Sequence, residues 1–138
     1  MGTTAVIAVS HLNVIKSITV HWDGYLQGVG QTLLTHYNSP KANHLVSLGN
    51  VSSLAKDLEP AVGQAHSFEK PAAGVTVFYG RDRGEDDQDY EVYNSTAELL
   101  ADSAEFMYIM NNEVWYVSQN GRPFENLEVA IAEELEAE

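Results

Sequence analysis

Three adjacent residues, His21-Trp22-Asp23, bring an imidazole, an indole and a carboxylate to the end of a β-patterned stretch. On an extended backbone His21 and Asp23 point to one side and Trp22 to the other. A histidine beside a carboxylate has the makings of a general base, or of a metal ligand with carboxylate support. The same residues also suit a structural corner: Trp22 in the core, Asp23-Gly24 a turn with Asp23 capping the next helix, and His21 satisfying a backbone group. Tyr25 follows and adds a phenol.

A second group of polar residues lies much further along. Arg81 and Arg83 are two apart at the end of the apolar stretch 75–79. On a strand end they face the same way and suit a clamp on a phosphate or carboxylate. Their neighbours Asp82, Glu85, Asp86, Asp87 and Asp89 also offer ordinary ion pairs. If the chain end at Trp22 meets the chain end at Tyr79, His21, Asp23, Tyr25, Arg81 and Arg83 form one pocket for a small phosphorylated ligand. Glu85, Asp86, Asp87, Asp89 and Glu91 form a different kind of candidate, an acidic face for a partner with a basic surface.

Other patterns carry less chemistry. Gly24, Gly28 and Gly30 precede a helix, but their spacing is neither a P-loop nor a dinucleotide fingerprint, and close helix packing explains them more simply. The acids from Glu85 to Glu91 do not follow the calcium-loop pattern. His36 and His44 have no recognised metal spacing. No cofactor is implied. No nucleophile–base–orienter set is visible, which favours a binding protein over an enzyme.

Composition narrows the class. The chain has 138 residues and no cysteine, so disulfides and Cys-ligated zinc are excluded. A single domain spanning residues 1–138 is expected. The net charge is −13. Residues 1–56 carry one acid, Asp23, against three lysines, a net of +2. Residues 57–138 carry 19 acids against Lys70, Arg81, Arg83 and Arg122, a net of −15. This balance argues against direct nucleic-acid or membrane partners. No secretory signal or membrane-length apolar run is seen, and a cytoplasmic location is expected.

Alternation and caps supply the elements. Residues 3–9 and 15–22 read as a hairpin whose inner face is Ile18, Val20 and Trp22. Leu26 to Asn38 reads as a helix, and Asn38-Ser39-Pro40 starts another that ends at Gly49. In the stretch 50–73, Asn50, Ser52 and Ser53 offer caps, and Leu54 and Leu58 suit one further turn. Residues 75–79 read as a central strand, 80–89 as a charged loop and 90–93 as a short strand. Ser95 to Glu98 forms a capping box for a helix over 96–102. Phe106–Met110 and Val114–Val117 read as a hairpin turning at Asn111-Asn112. Asn120-Gly121 is a further turn, and Pro123 opens an acidic C-terminal helix that frays over 126–138. The expectation is an α+β fold: a mostly antiparallel sheet of two terminal hairpins plus a central strand, with helices packed on one face. The hairpin edges also offer a route to a homodimer.

Two stretches carry a resemblance. One is His21-Trp22-Asp23-Gly24-Tyr25 with Gly28, Gly30, Leu33-Leu34 and His36-Tyr37, continued by Leu48-Gly49-Asn50-Val51-Ser52-Ser53-Leu54. The other is Phe78-Tyr79-Gly80-Arg81-Asp82-Arg83-Gly84-Glu85. Together they resemble a widespread family of small uncharacterised proteins of tailed bacteriophages. The resemblance spans roughly residues 3–85 and returns weakly near Glu113 to Val117. It implies a phage accessory protein made in the bacterial host cytoplasm, of a kind often engaged in host takeover or counter-defence, and it brings no activity with it. The family often has Cys before the His and Asp after the Leu-Gly. Here those positions hold Val20 and Asn50, so this chain cannot share any chemistry of that Cys. The two expectations are therefore an acidic inhibitor of a host protein and, as the alternative, a nucleotide or small-molecule binder.

Overall fold

A computed structural model describes residues 3–12, 14–101 and 104–137. Strands β1 (Ala5–His11) and β2 (Val14–Val20) form the expected antiparallel hairpin, in register from Ala5 opposite Val20 to His11 opposite Val14. A wide π-type turn at Leu26–Gly30 then runs straight into helix α1 (Gln31–His36). Helix α2 (Ser39–Ser47) follows, its start capped by Asn38, whose Oδ1 accepts the Lys41 N–H at 3.0 Å. Gly49 ends the segment with a positive φ of 95°, and a side chain there would meet the Gln88 carbonyl.

The stretch expected to hold a helical turn instead begins with strand β3 (Val51–Ser53). Ser52 and Ser53 are strand residues rather than caps. The expected central strand at 75–79 is the second departure. Only Val77–Phe78 pair, as strand β4, and β4 is an edge. Its residues are apolar on both sides because irregular chain from residue 54 to 74 covers that edge. Thr76 N–H donates to the Asp57 carbonyl at 2.8 Å, and Ala55 N–H donates to Thr76 Oγ1 at 3.0 Å. Covering an edge strand removes unpaired backbone groups from water.

Helix α3 (Tyr79–Arg83) stands where a charged loop was expected to start. Gly84, at φ 76°, ends it, and the Gly84 and Glu85 N–H groups donate to the Gly80 and Tyr79 carbonyls. Strand β5 (Glu91–Tyr93) pairs with β2. Helix α4 (Thr96–Leu100) starts at Ser95, whose Oγ accepts the Glu98 N–H, while Glu98 accepts the Asn94 N–H. Residue 102, the expected end of this helix, lies outside the described residues.

Strands β6 (Phe106–Asn111) and β7 (Val114–Gln119) form the second hairpin. The turn sits one residue later than expected, on Asn112 and Glu113, both with positive φ. After the Asn120-Gly121 turn comes strand β8 (Glu125–Asn126) and then helix α5 (Leu127–Ala137). Pro123 therefore precedes a short strand rather than opening the helix. Asn126 caps α5, its Oδ1 accepting the Val129 N–H at 3.1 Å. The expected fraying bears on residue 138 as well, which lies outside the described residues.

The eight strands make one mixed sheet in the order β4-β3-β2-β1-β6-β7-β8, with β5 also on β2. Most pairs are antiparallel, and the two hairpins join through a parallel β1–β6 pair at the centre. The fold is α+β. Alternate strand residues feed two clusters. The larger joins Ile7, Ile18, Val20 and Tyr108 to Leu33, Leu45 and Leu127 of the helices. The smaller, on the other face, joins Ala8, Ile15, Met107 and Ile109 to Leu99 of α4. Two hydrogen bonds lock the larger layer: Trp115 Nε1–H donates to the Tyr37 carbonyl at 2.9 Å, and Tyr108 Oη–H donates to the Gly24 carbonyl at 2.6 Å. Among the described residues no helix is long and apolar enough to cross a membrane.

Candidate functional site

The His21-Trp22 end of β2 runs on beside β3. The His21 and Trp22 N–H groups donate to the Val51 and Ser52 carbonyls at 3.0 and 3.1 Å. On its other side β3 pairs with β4, and β4 leads directly into α3. This order brings the two chain ends together. His21, Trp22, Ser53, Phe68, Tyr79 and Arg83 line one groove of about 440 Å³. A hollow of about 380 Å³ adjoins it and shares Phe68 and Arg83.

The walls are aromatic. His21 meets the Trp22 ring edge-on at 4.7 Å. Opposite, the Phe68 and Tyr79 rings lie 5.7 Å apart, and the Arg83 guanidinium sits 4.8 Å from the Phe68 ring centre. Arg83 also approaches Glu85 at 3.4 Å, but 55% of its side chain stays exposed. Trp22 is 43% exposed rather than core. The core layer ends where Val20 pairs Ala5, and the chain turns away at Asp23 with φ 58°.

A buried polar hub holds the second wall in place. The Asp82 and His66 side chains are 6% and 3% exposed. Asp82 Oδ2 accepts the Phe78 N–H at 2.8 Å, so the carboxylate reaches back over the start of its own helix. Arg81 donates to both Asp82 oxygens, at 3.0 and 3.1 Å. His66 Nδ1 accepts the Ala72 N–H at 2.9 Å, which puts the proton of a neutral ring on Nε2, facing Asp82 at 3.3 Å. The Phe68 N–H donates to the Asp82 carbonyl. The segment 66–72, which carries Phe68, is thereby pinned to α3, which carries Arg83. Burial opposes charge on Asp82, yet the Arg81, Phe78 and His66 hydrogen bonds together hold its carboxyl below the usual carboxylate range.

Only part of the expected pocket forms. His21 and Arg83 share the groove, whereas Arg81 does not line it. Helical residues two apart diverge by about 200°, so the expected parallel clamp is lost when 79–83 forms a helix instead of a strand end. Arg81 is spent on structure: beyond Asp82, it donates to the Leu58 and Thr76 carbonyls at 2.5 and 3.0 Å and lies over the Phe78 ring. Asp23 and Tyr25 shape the corner through their carbonyls, which accept the Val29 and Gly28 N–H groups at 2.8 and 3.0 Å. Gly24 is required there because a Cβ would lie 2.7 Å from both the Ala5 Cβ and the Thr3 carbonyl.

The acids Glu85, Asp86, Asp87, Asp89 and Glu91 are all exposed. Glu85 faces Arg83, and Glu91 accepts the Tyr93 hydroxyl at 2.7 Å. Asp86, Asp87 and Asp89 form no ion pair among the described residues. Asp82 was legible in the sequence as an acid flanked by two arginines, an ion-pair partner for them, whereas His66 and Phe68 were not, since nothing in the spacing links residue 66 to residue 82. No protein-family model, curated protein or solved structure matches the chain.

Proposed function

We propose that this chain is a binding protein that holds a small anionic ligand bearing a planar ring, of the nucleotide type, in the His21–Arg83 groove. The observation that supports this reading is the meeting of an accessible guanidinium and an imidazole with three aromatic rings in one groove, in a molecule of net charge −13. Exposed cations are scarce in such a molecule, and Arg83 is held over Phe68 while most of its side chain remains accessible. Guanidinium suits a phosphate or carboxylate, the rings suit a base, and about 440 Å³ lies within the range of small-ligand sites. The test is a titration with adenosine monophosphate, followed by the Trp22 indole N–H signal in NMR. Saturable movement of that signal is expected, weakened roughly tenfold by Arg83→Gln. A stationary Trp22 signal, or equal binding by Arg83→Gln, overturns the reading.

A second reading, favoured by the exposure of Asp86, Asp87 and Asp89 without ion pairs, is docking to the basic surface of a host protein. The phage-family resemblance is consistent with it, and inhibition of that host protein would be its purpose. Its test is a pull-down from bacterial lysate with the wild type and with Asp86→Asn/Asp87→Asn/Asp89→Asn. One stoichiometric partner, lost in the variant and at high salt, supports it. A partner retained by the variant removes it.

A further inference from the structure

Two residues of the groove wall, Phe68 and Pro71, lie inside a loop that one hydrogen bond closes. The bond runs from the Ala72 N–H to His66 Nδ1 at 2.9 Å, and the His66 side chain is 3% exposed. The other ring nitrogen faces Asp82 Oδ2 at 3.3 Å. The loop belongs to the irregular chain between β3 and β4. We infer that His66 is a proton-operated latch on the groove: neutral, it closes the 66–72 loop and keeps Phe68 and Pro71 in place; protonated, it opens the loop and withdraws that wall. The latch itself needs no ligand, and its effect on one rests on the groove reading above.

A neutral imidazole has one donor and one acceptor, and both are used here, Nε2–H toward Asp82 and Nδ1 toward Ala72. An imidazolium has two donors and no acceptor. A second proton therefore lands on Nδ1, where it faces the Ala72 N–H, and two donors cannot share one hydrogen bond. Turning the ring over does not relieve the conflict, because both nitrogens then donate. The buried ring cannot aim its new N–H at water without moving the loop. Asp82 favours a charged ring, but its carboxylate is already met by Arg81 at 3.0 and 3.1 Å and by the Phe78 N–H at 2.8 Å. The Arg81 guanidinium beside it opposes a second cation. Arg81 also approaches Glu59 at 3.6 Å, and Glu59 approaches His44 at 3.8 Å. On the loop itself Glu69 and Lys70 are exposed, and Arg83 pairs with Glu85. The other ties of the loop to α3 are weaker: the Phe68 N–H donates to the Asp82 carbonyl at 3.3 Å, and the Phe68 ring meets Tyr79 and Arg83. Histidine is the side chain that ordinarily changes charge between about pH 5 and 8. Asp82, held below the usual carboxylate range, stays ionised over that interval, so mild acid acts on the ring and not on its partner.

The experiment follows the ¹⁵N-labelled chain, without ligand, from pH 8 to pH 5. Long-range imidazole ¹H–¹⁵N spectra read the ring state of His66, and amide exchange, corrected for its intrinsic pH dependence, reads Ala72. At pH 8 a neutral ring with its proton on Nε2 is expected. As the ring takes up a second proton, Ala72 protection should fall about tenfold, the weight of one hydrogen bond, while Ile7 and Ile18 of the central hairpin keep theirs. His66→Gln should lose this step. His44→Gln, which removes the histidine linked to the hub through Glu59, should keep it. Five results overturn the latch: a proton on Nδ1 at pH 8, a ring that stays neutral down to pH 5, Ala72 protection unchanged as the ring titrates, a step that survives in His66→Gln, or one that vanishes in His44→Gln. If His66→Gln does not fold, the wild-type ring state and Ala72 protection decide the matter. Adenosine monophosphate titrated into wild type and His66→Gln at pH 8 and pH 5.5 reads the consequence for the groove, and wild type should lose about tenfold more affinity than the variant. Equal losses while Ala72 opens overturn control of the groove by the latch. No binding at either pH defeats the groove reading instead, with the latch still decided by Ala72.

Discussion

The His21–Arg83 groove and a second crevice of about 860 Å³, lined by Tyr37, Met110, Glu113, Val114, Trp115 and Glu128 among others, differ in construction. One wall of the groove, Phe68 on the segment 66–72, is irregular chain held by a buried carboxylate, an imidazole and a guanidinium. The crevice is framed by two helix junctions and a hairpin, and its floor is held by packing and one indole hydrogen bond. The first arrangement concentrates charge where regular backbone pairing is absent, so its stability depends on ionisation. The second depends on apolar burial. Tyr37 links the two: its carbonyl accepts the Trp115 indole N–H, while its hydroxyl donates to the Ala55 carbonyl in the chain that covers β4. The acid and alkaline limits of stability should therefore be set by different groups.

The largest expected separation comes from Asp82→Ala. It strands the Arg81 and His66 groups in a nearly closed site, and a cost of about 3 kcal/mol is expected from the urea midpoint. Arg83→Gln, on the same helix but exposed, should cost less than about 0.5 kcal/mol. If both changes cost the same, the hub is not what holds the groove.

Opposite pH limits come next. The pKa of Asp82 is lower in the folded chain than in the unfolded one, so its stabilisation is complete above about pH 4 and is lost as pH falls through the folded value. Asp82→Asn should flatten that acid limb. Tyr37, which lines the crevice, behaves in reverse. Burial pushes its hydroxyl up to about 12, against the Thr76 hydrogen bond, so its contribution is complete below about pH 10 and is lost as pH rises toward 12. Roughly 2 kcal/mol is at stake on the alkaline side, and Tyr37→Phe should remove that share of the limb. Urea midpoints measured from pH 2 to 11 check both. A variant that alters the wrong limb breaks the comparison.

A smaller effect is expected from Trp115→Phe. It leaves the Tyr37 carbonyl without its indole donor and should cost about 1.5 kcal/mol, with the Trp22 signal unchanged. The smallest effect belongs to Asp86→Asn/Asp87→Asn/Asp89→Asn, within about 0.5 kcal/mol of wild type, since these exposed side chains form no ion pair among the described residues.

Local signals were readable where neighbours in the chain determine the structure. Both hairpins follow from alternation and turn residues, and the starts of α2 and α4 follow from Asn38 and Ser95. The corner at Asp23-Gly24 was legible as a break. The sharing of one groove by His21 and Arg83 was legible only as a condition, that two chain ends meet. Their meeting depends on β3, a three-residue strand whose Ser52 and Ser53 look like caps when read locally.

The amino-acid order by itself determined the α+β class, the terminal hairpins and the acidic second half. Each rests on periodicity, caps or counting, which act over a few residues or over the sum of them. Tertiary structure decided which polar groups became ligand-facing and which became scaffold. Arg81 and Arg83 are equivalent in composition, yet one is drawn into the Asp82 hub and the other left over Phe68. The physical reason is geometric: a helical turn at 79–83 sends the two side chains apart, and the carbonyls of Leu58 and Thr76, together with the Asp82 carboxylate, close around one of them.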